Sequence, residues 1–360
     1  MYQMNFFDLS DHFRRLSDAG DPLETMSRVI DFESFRPVLD DALNYSQQGK
    51  GGRPAYDPVV MFKLLILAAQ YNLSDARMEF LTRDRLSWQR FLGFHLGERT
   101  PDENTIRLFR EKLTEAGAIR ALFDRFERDL AQAGYVPMAG QILDATLVSS
   151  PVQRNNNEEK EAIKAGKSAA DIWSDNPARA AQKDVDARWT LKQGKGKSVG
   201  PDGKPQVAFA IPVFGYKNHI GIDKKFGFIR TFLVTHGAAS DGARLREGLI
   251  DPMNRASAVW ADKAYRSKEN EAFLEKKGKV SLIHQKKQPG KRMDQRTARA
   301  NARKSKVRCR VEHVFAHQKS RMGLFIRTIG IARATTKIGL ANLAYNLGRL
   351  IFHERDYAKG

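Results

Sequence analysis

Three carboxylates stand where their type and setting could do chemistry. Asp144 interrupts the apolar run Ile142-Leu143-Asp144-Ala145-Thr146-Leu147, where a buried charge needs a partner or a cation. Asp262 follows Ala258-Val259-Trp260-Ala261, and ligands of open α/β sheets gather outside the carboxyl ends of strands. Glu312 lies in a helical pattern beside an apolar stripe of Val307, Val311, Val314 and Phe315. At 100° per residue, Arg308, Glu312 and Lys319 fall within about 40° of one another. Each acid also has an ordinary reading: a solvent-facing Asp on an edge strand, a turn or helix cap, and a surface salt-bridge stripe. Acids on a first strand, at the end of a later strand and on a helix packed against both can converge on one point. Such an oxygen-only set suits Mg²⁺ or Mn²⁺ rather than zinc. Two such ions about 3.5–4 Å apart activate a water or 3′-hydroxyl and stabilise the leaving oxygen of a phosphodiester. Arg308 and Lys319 would hold phosphate oxygens beside them.

The elements that must position these acids fall into two stretches. Residues 25–135 read as helices. Asp57 opens a run with Val60, Leu64, Leu67 and Ala68 at helical spacing, and Ser74 caps DARMEFLTR. Thr100-Pro101-Asp102-Glu103 combines a capping box with proline at the first helical position. No strand signal precedes Tyr135. After Gly140 the period changes to that of a strand in QILDATLVSS. Residues 151–206 are polar and read as a long loop with one helical turn at most. QVAFAIPVF, NHIGID and GFIRTFLVTH read as consecutive antiparallel strands, followed by a helix over 242–254, the strand ASAVWAD, a helix over 267–276 and the strand KVSLIH. Two helices, at about 305–322 and 335–353, close the chain. The fold class is α/β: a mixed-sheet domain over 136–360, preceded by an all-α domain over 1–135.

The 360 residues are 41% hydrophobic and carry a formal net charge of +19, which excludes a wholly disordered chain and points to a polyanionic partner. The charge is uneven: residues 1–140 carry −3 and residues 141–360 carry +22. Residues 286–310 hold 11 basic residues and one acid, and closely spaced DNA phosphates reward such a run by releasing counterions. Lys286, Lys287, Lys291, Arg292, Arg303 and Lys304 are its candidate DNA contacts; a solvated basic loop is the other reading. The single cysteine, Cys309, forbids an internal disulfide and a cysteine-based zinc site and fits a reducing cytosol. No apolar run approaches the roughly 18 residues of a membrane span, and the first 13 residues lack signal-peptide features. A cytoplasmic protein is expected.

Other motifs carry less. Lys217 and His219 in GYKNHIGID could flank the acids and meet a phosphate, or could be buried structural groups. Trp173 and Trp189 could stack on a displaced base or anchor the polar loop. The helices over 75–82 and 83–91 could form a helix-turn-helix using Arg77, Arg83, Arg85 and Arg90. His313 and His317 have zinc-ligand spacing, but Glu312 precedes rather than follows the first histidine. GKGKSVGPDGK matches neither a Walker loop nor a dinucleotide fingerprint.

At these residues the chain resembles the DDE transposases of bacterial insertion sequences, in the superfamily that joins insertion-sequence families four and five, and family five most closely. Arg308, Glu312 and Lys319 match its R-x₃-E-x₆-K signature. ILDATLV resembles the strand of the first Asp, VWADKAYRS the segment of the second, and FGYKNHIGID the strand between. GGRPAYDPVVMFKLLIL and TPDENTIRLFREKL resemble the helical DNA-binding domain, so the likeness covers most of residues 51–349. It implies an RNase H-like catalytic domain in which Asp144, Asp262 and Glu312 bind Mg²⁺, with Mn²⁺ as a substitute. It also implies DNA contacts by Arg308 and Lys319, terminal inverted repeats and target DNA as partners, and a homodimer in the DNA complex near the bacterial nucleoid. Ser305 stands where the signature often has Tyr. The 50 residues from Asp262 to Glu312 leave no room for the β-insertion of some family-four members. Two rivals remain: a nuclease of the same fold that cuts without joining, and a DNA-binding regulator without catalysis.

Overall fold

The computed structural model describes residues 8–43, 54–193, 210–287, 290 and 292–357. It divides into two compact units. One is Met1–Val136 with Ala316–Leu324 and Gly339–Gly360, and the other is Pro137–Phe315 with Phe325–Ile338. The two C-terminal segments therefore group with the helical unit, whereas the sequence pattern leaves all of 136–360 together.

The helical unit contains α1 (Asp8–Asp18), α2 (Pro22–Val29), α3 (Arg36–Leu43), α4 (Pro58–Tyr71), α5 (Asp75–Asp84), α6 (Leu86–Leu92), α7 (Glu103–Glu115) and α8 (Ile119–Gln132). Helix α4 is apolar on every side and buries Met61, Phe62 and Leu64 through Leu67, as the central helix of a bundle must. Asp57 caps it by accepting from the N–H groups of Val59 and Val60, and Pro58 takes the first turn. Aromatic rings close the core, with Phe35 and Phe62 centroids 4.9 Å apart and Phe32 and Phe91 5.6 Å apart.

The second unit is built on a mixed sheet of β1 (Gln141–Ser149), β2 (Arg188–Gln193), β3 (Ala210–Asp223), β4 (Ile229–His236), β5 (Ala258–Trp260) and β6 (Val280–Ser281). The order is β2-β3-β1-β5-β6, and β4 pairs with the same edge of β3 as β2. Strands β1, β3 and β4 are antiparallel, and β5 and β6 then run parallel to β1. That is an RNase H-like sheet. QVAFAIPVF and NHIGID, which read as two strands, belong to the one 14-residue strand β3; the residues before Ala210 lie outside the described set. At its tip, buried Asp223 accepts from the N–H groups of Phe226 and Phe228 and pairs with buried Arg230, which sets the β3–β4 register.

The polar stretch after β1 is more ordered than a loop. It forms α9 (Asn157–Lys164), α10 (Ala169–Ile172), α11 (Pro177–Gln182) and then β2. Capping boxes at Asn156/Glu159 and Ser168/Asp171 start the first two helices. Trp173 is the anchor: it is buried and its indole donates to Glu159 at 2.8 Å, while Arg179 reaches the same carboxylate at 2.6 Å. GKGKSVGPDGK lies outside the described residues.

The expected helix over 242–254 shrinks to α12 (Asp241–Arg244) and a 3₁₀ turn. α13 (Lys268–Lys276) follows, and Leu245, Leu249, Tyr265, Leu274 and Ile283 close a core on one face of the sheet with Leu143 and Val259. α14 (Gln295–Ala316) begins well before residue 305, so most of the basic run is helical, and α15 (Ile331–Tyr357) closes the chain.

Gly215 is where β3 is pinned between β1 and β2, with φ +150°. A Cβ there would sit 2.2 Å from the Val148 carbonyl oxygen. Gly215→Ala is expected to lower stability by about 1–3 kcal/mol, measured by urea unfolding; an unchanged midpoint would mean the strand shifts freely.

Candidate functional site

The pleat decides what Asp144 faces. In the antiparallel ladder Asp144 lies opposite Ile220 and Ala145 opposite His219. Directly opposed residues share a face, so Asp144 sits on one side of the sheet while Lys217 and His219 sit on the other. On the Asp144 side, Arg308 of α14 forks between two acids. Nη1 donates to Asp144 Oδ2 at 2.6 Å and Nη2 to Glu312 Oε1 at 2.6 Å. Asp144 and Arg308 are mostly covered, with side-chain exposures of 17% and 20%, whereas Glu312 is 56% exposed. Asp262 follows β5, caps the 3₁₀ turn Lys263–Tyr265 and accepts from Ala264 N–H.

The Asp144 carboxyl feels the charges of its neighbours. Burial pushes the Asp144 carboxyl up to about 6; Arg308 and the Ala145 N–H pull it down, while the charges of Asp262 and Glu312 push it further up. One group unnoticed in the sequence borders this cluster, and a second lies in the core on the other face of the sheet. His284 is held below its ordinary range by burial and by Arg308, against the charge of Asp262, and its Nε2 meets Ser305 Oγ at 3.3 Å. The imidazole thus partners the serine that replaces the signature's tyrosine. Buried Tyr265 has its phenol raised by burial and then by Asp144, Asp241 and Asp262, and its hydroxyl has no hydrogen-bond partner among the described residues. His284 ends the strand-like KVSLIH beside the Asp262 strand, a placement visible only once β5 and β6 are paired.

The remaining candidates divide. Lys217 donates to Asp241 Oδ1 at 2.8 Å and to the Ala239 carbonyl at 2.6 Å. His219 is fully buried, shares a 2.8 Å hydrogen bond with Thr235 Oγ1, and is held down to about 3 by burial and by Lys217 and Arg244. Both have internal partners on the face away from Asp144. Half-buried Lys304 donates to the Ile283 carbonyl at 2.9 Å. Lys286, Lys287, Arg292 and Arg303 are exposed, and Lys291 lies outside the described residues. Lys319 falls in the π-helical turn His317–Arg321, grouped with the helical unit. The 100° step that aligned it with Glu312 fails across such a turn.

In the helical unit, α5 and α6 are separated by Arg85 alone, tighter than a helix-turn-helix corner. Arg90 is consumed internally, at 2.6 Å from Asp21 and 2.9 Å from Ser17 Oγ. Arg77, Arg83 and Arg85 stay exposed.

The donor set suits a hard divalent cation: all oxygen, crowded with like charge, and already drawing a cation into its middle. Among the described residues no three His, Cys, Asp or Glu side chains are closed tightly enough to hold an ion as they stand. Arg308 occupies the space between two of the acids, so loading a metal requires that fork to open.

An RNase H-like sheet with carboxylates on its central strand and at the end of the next has the donors that phosphodiester chemistry uses. Comparison with known families narrows the class. Residues 11–112 match the transposase domain (DUF772), and residues 179–347 match the transposase DDE domain. The chain belongs to the insertion-sequence DDE transposases; it is a DNA transposase, of a domain class that uses divalent metal ions. The cryo-EM structure of a piggyBac transposase synaptic complex with hairpin DNA is similar at 10% identity and a TM-score of 0.42, over 92% of this chain and 75% of that one. Among the described residues no single helix is long and apolar enough to cross a membrane.

Arg308→Ala removes the cation that offsets two crowded carboxylates. The melting temperature in chelator is expected to fall, equivalent to about 3 kcal/mol, and adding Mn²⁺ is expected to narrow the gap to wild type in differential scanning fluorimetry.

Proposed function

We propose that Asp144, Asp262 and Glu312 are the metal-binding catalytic triad, and that the enzyme cleaves the terminal inverted repeats of its element and joins the freed 3′-hydroxyls to target DNA. The observation that supports this most is the Arg308 fork across Asp144 and Glu312, with Asp262 near enough to raise the Asp144 carboxyl further.

Mg²⁺, with Mn²⁺ as a substitute, would be held by these three acids and would supply activation of the attacking oxygen and stabilisation of the leaving one. Arg308, if released from its carboxylates, would present a planar fork to a non-bridging pair of phosphate oxygens. In hydrolysis a water oxygen adds to phosphorus, the P–O3′ bond breaks, and the departing 3′ oxygen takes up a proton. In joining, that 3′ oxygen attacks a target phosphorus and displaces the target's own 3′ oxygen, so one phosphodiester is exchanged for another. The protein's part is positioning and electrostatics, without a covalent intermediate.

Lys286, Lys287, Lys291, Arg292 and Arg303 belong to the DNA-contacting surface in this reading, with Lys319 contacting DNA near the cleaved end. The domain over 1–135 serves repeat recognition or dimer contacts; its net charge of −3 disfavours general DNA coating. Two ends cut together call for a homodimer in the DNA complex, acting in the cytoplasm at the nucleoid. Lys217 and His219 act as internal supports of the sheet rather than as phosphate contacts.

Asp262→Asn and Glu312→Gln are each expected to reduce cleavage of labelled repeat-end DNA at least about a thousandfold, the several kcal/mol that metal positioning supplies, while mobility-shift affinity stays near wild type. Cleavage that survives either change removes that acid from the triad.

A further inference from the structure

Helix α14 carries a second charged feature, apart from Arg308 and Glu312. Arg296, Arg299, Arg303, Lys306 and Arg310 are all exposed. At 100° per residue and 1.5 Å rise they fall within an arc of about 80° and extend about 21 Å along the axis. Consecutive members are three or four residues apart, the spacing at which like charges on a helix repel. None of the five has a carboxylate partner among the described residues, and between Gln295 and Glu312 the helix contains no acid. Arg310 alone is tied, donating to the Lys224 carbonyl. A self-repelling row of this kind is complementary to a polyanion.

The row is also separated from the acids. Its centre lies roughly 180° around the helix from the mean direction of Arg308 and Glu312. Buried Val311 and Phe315 occupy one side between them. The other side is a ridge of exposed, small, uncharged Ala302, Ser305 and Cys309. Cations do not continue across that ridge into the catalytic flank, so a phosphate backbone seated at the acids does not follow an unbroken path onto the row.

We infer that this row of α14 binds a second duplex, the target DNA, while the opposite flank of the same helix works on the element's end. The inference rests on the transposase reading above and adds which duplex each flank serves. The row acts through phosphates and reads no sequence, as suits a target met at many sites.

The test uses the full chain carrying Arg296→Gln, Arg299→Gln and Lys306→Gln together; glutamine keeps helix propensity, and circular dichroism checks the fold. Three assays are run beside wild type: cleavage of repeat-end duplex, joining of a pre-cleaved end to a supercoiled plasmid, and salt-dependent binding of a random duplex. Expected are end cleavage near the wild-type rate, joining reduced about tenfold or more, and a log–log salt slope shallower by about 3, near 0.9 per lost phosphate contact. Cleavage falling in parallel with joining would place the element's own end on the row and overturn the inference. Unchanged joining, or an unchanged salt slope, would overturn it as well. A wild type that binds DNA but neither cleaves nor joins would instead sink the transposase reading, with the salt slope still reporting on the row.

Discussion

The second unit is organised around one electrostatic problem. Asp144 is mostly covered on the sheet, within reach of the charges of Asp262 and the more exposed Glu312, and its desolvation and their repulsion are costly. Arg308 offsets part of that cost with two 2.6 Å hydrogen bonds, and burial still holds the Asp144 carboxyl well above its ordinary range. A sheet built only for stability would carry an apolar residue at position 144. The arrangement makes sense if a stronger cation is to replace the guanidinium, which then becomes available for phosphate.

Much of the scaffold answers to that requirement. β3 runs along the whole length of β1 and fixes the direction of Asp144, while β5 borders β1 at Gln141 and Ile142. Gly215 lets β3 pass close to Val148, and the Asp223–Arg230 pair closes the hairpin tip. Asp262 is held at the end of β5 by the turn it caps, and α14 brings Arg308 and Glu312 on one helical face one turn apart. Rigid elements positioning a few polar groups is the design expected where catalysis depends on preorganised charge.

The sequence made some of this legible and hid the rest for physical reasons. Asp144 stands out because a lone carboxylate in an apolar strand is costly, and Arg308 and Glu312 because a four-residue step keeps them together on a helix. The sheet side occupied by Lys217 and His219 depends on the register between β1 and β3, which no local pattern encodes. A uniform helical step aligns Lys319 with Glu312, and the π-turn interrupts that step. His284 comes beside the Asp262 strand only through the pairing of β5 with β6. The helices after β1 were signalled by Asn156/Glu159 and Ser168/Asp171, but low hydrophobicity masked those capping boxes.

The most direct measurement is a crystal structure of the protein soaked in Mn²⁺, with diffraction recorded at the manganese absorption edge. The account predicts an anomalous peak at carboxylate-ligation distance, about 2.0–2.3 Å, from Asp144 and at least one of Asp262 and Glu312. It also predicts that the Arg308 fork will have turned away from Asp144. A saturating soak with Arg308 still bridging Asp144 and Glu312, and manganese elsewhere or absent, would contradict it.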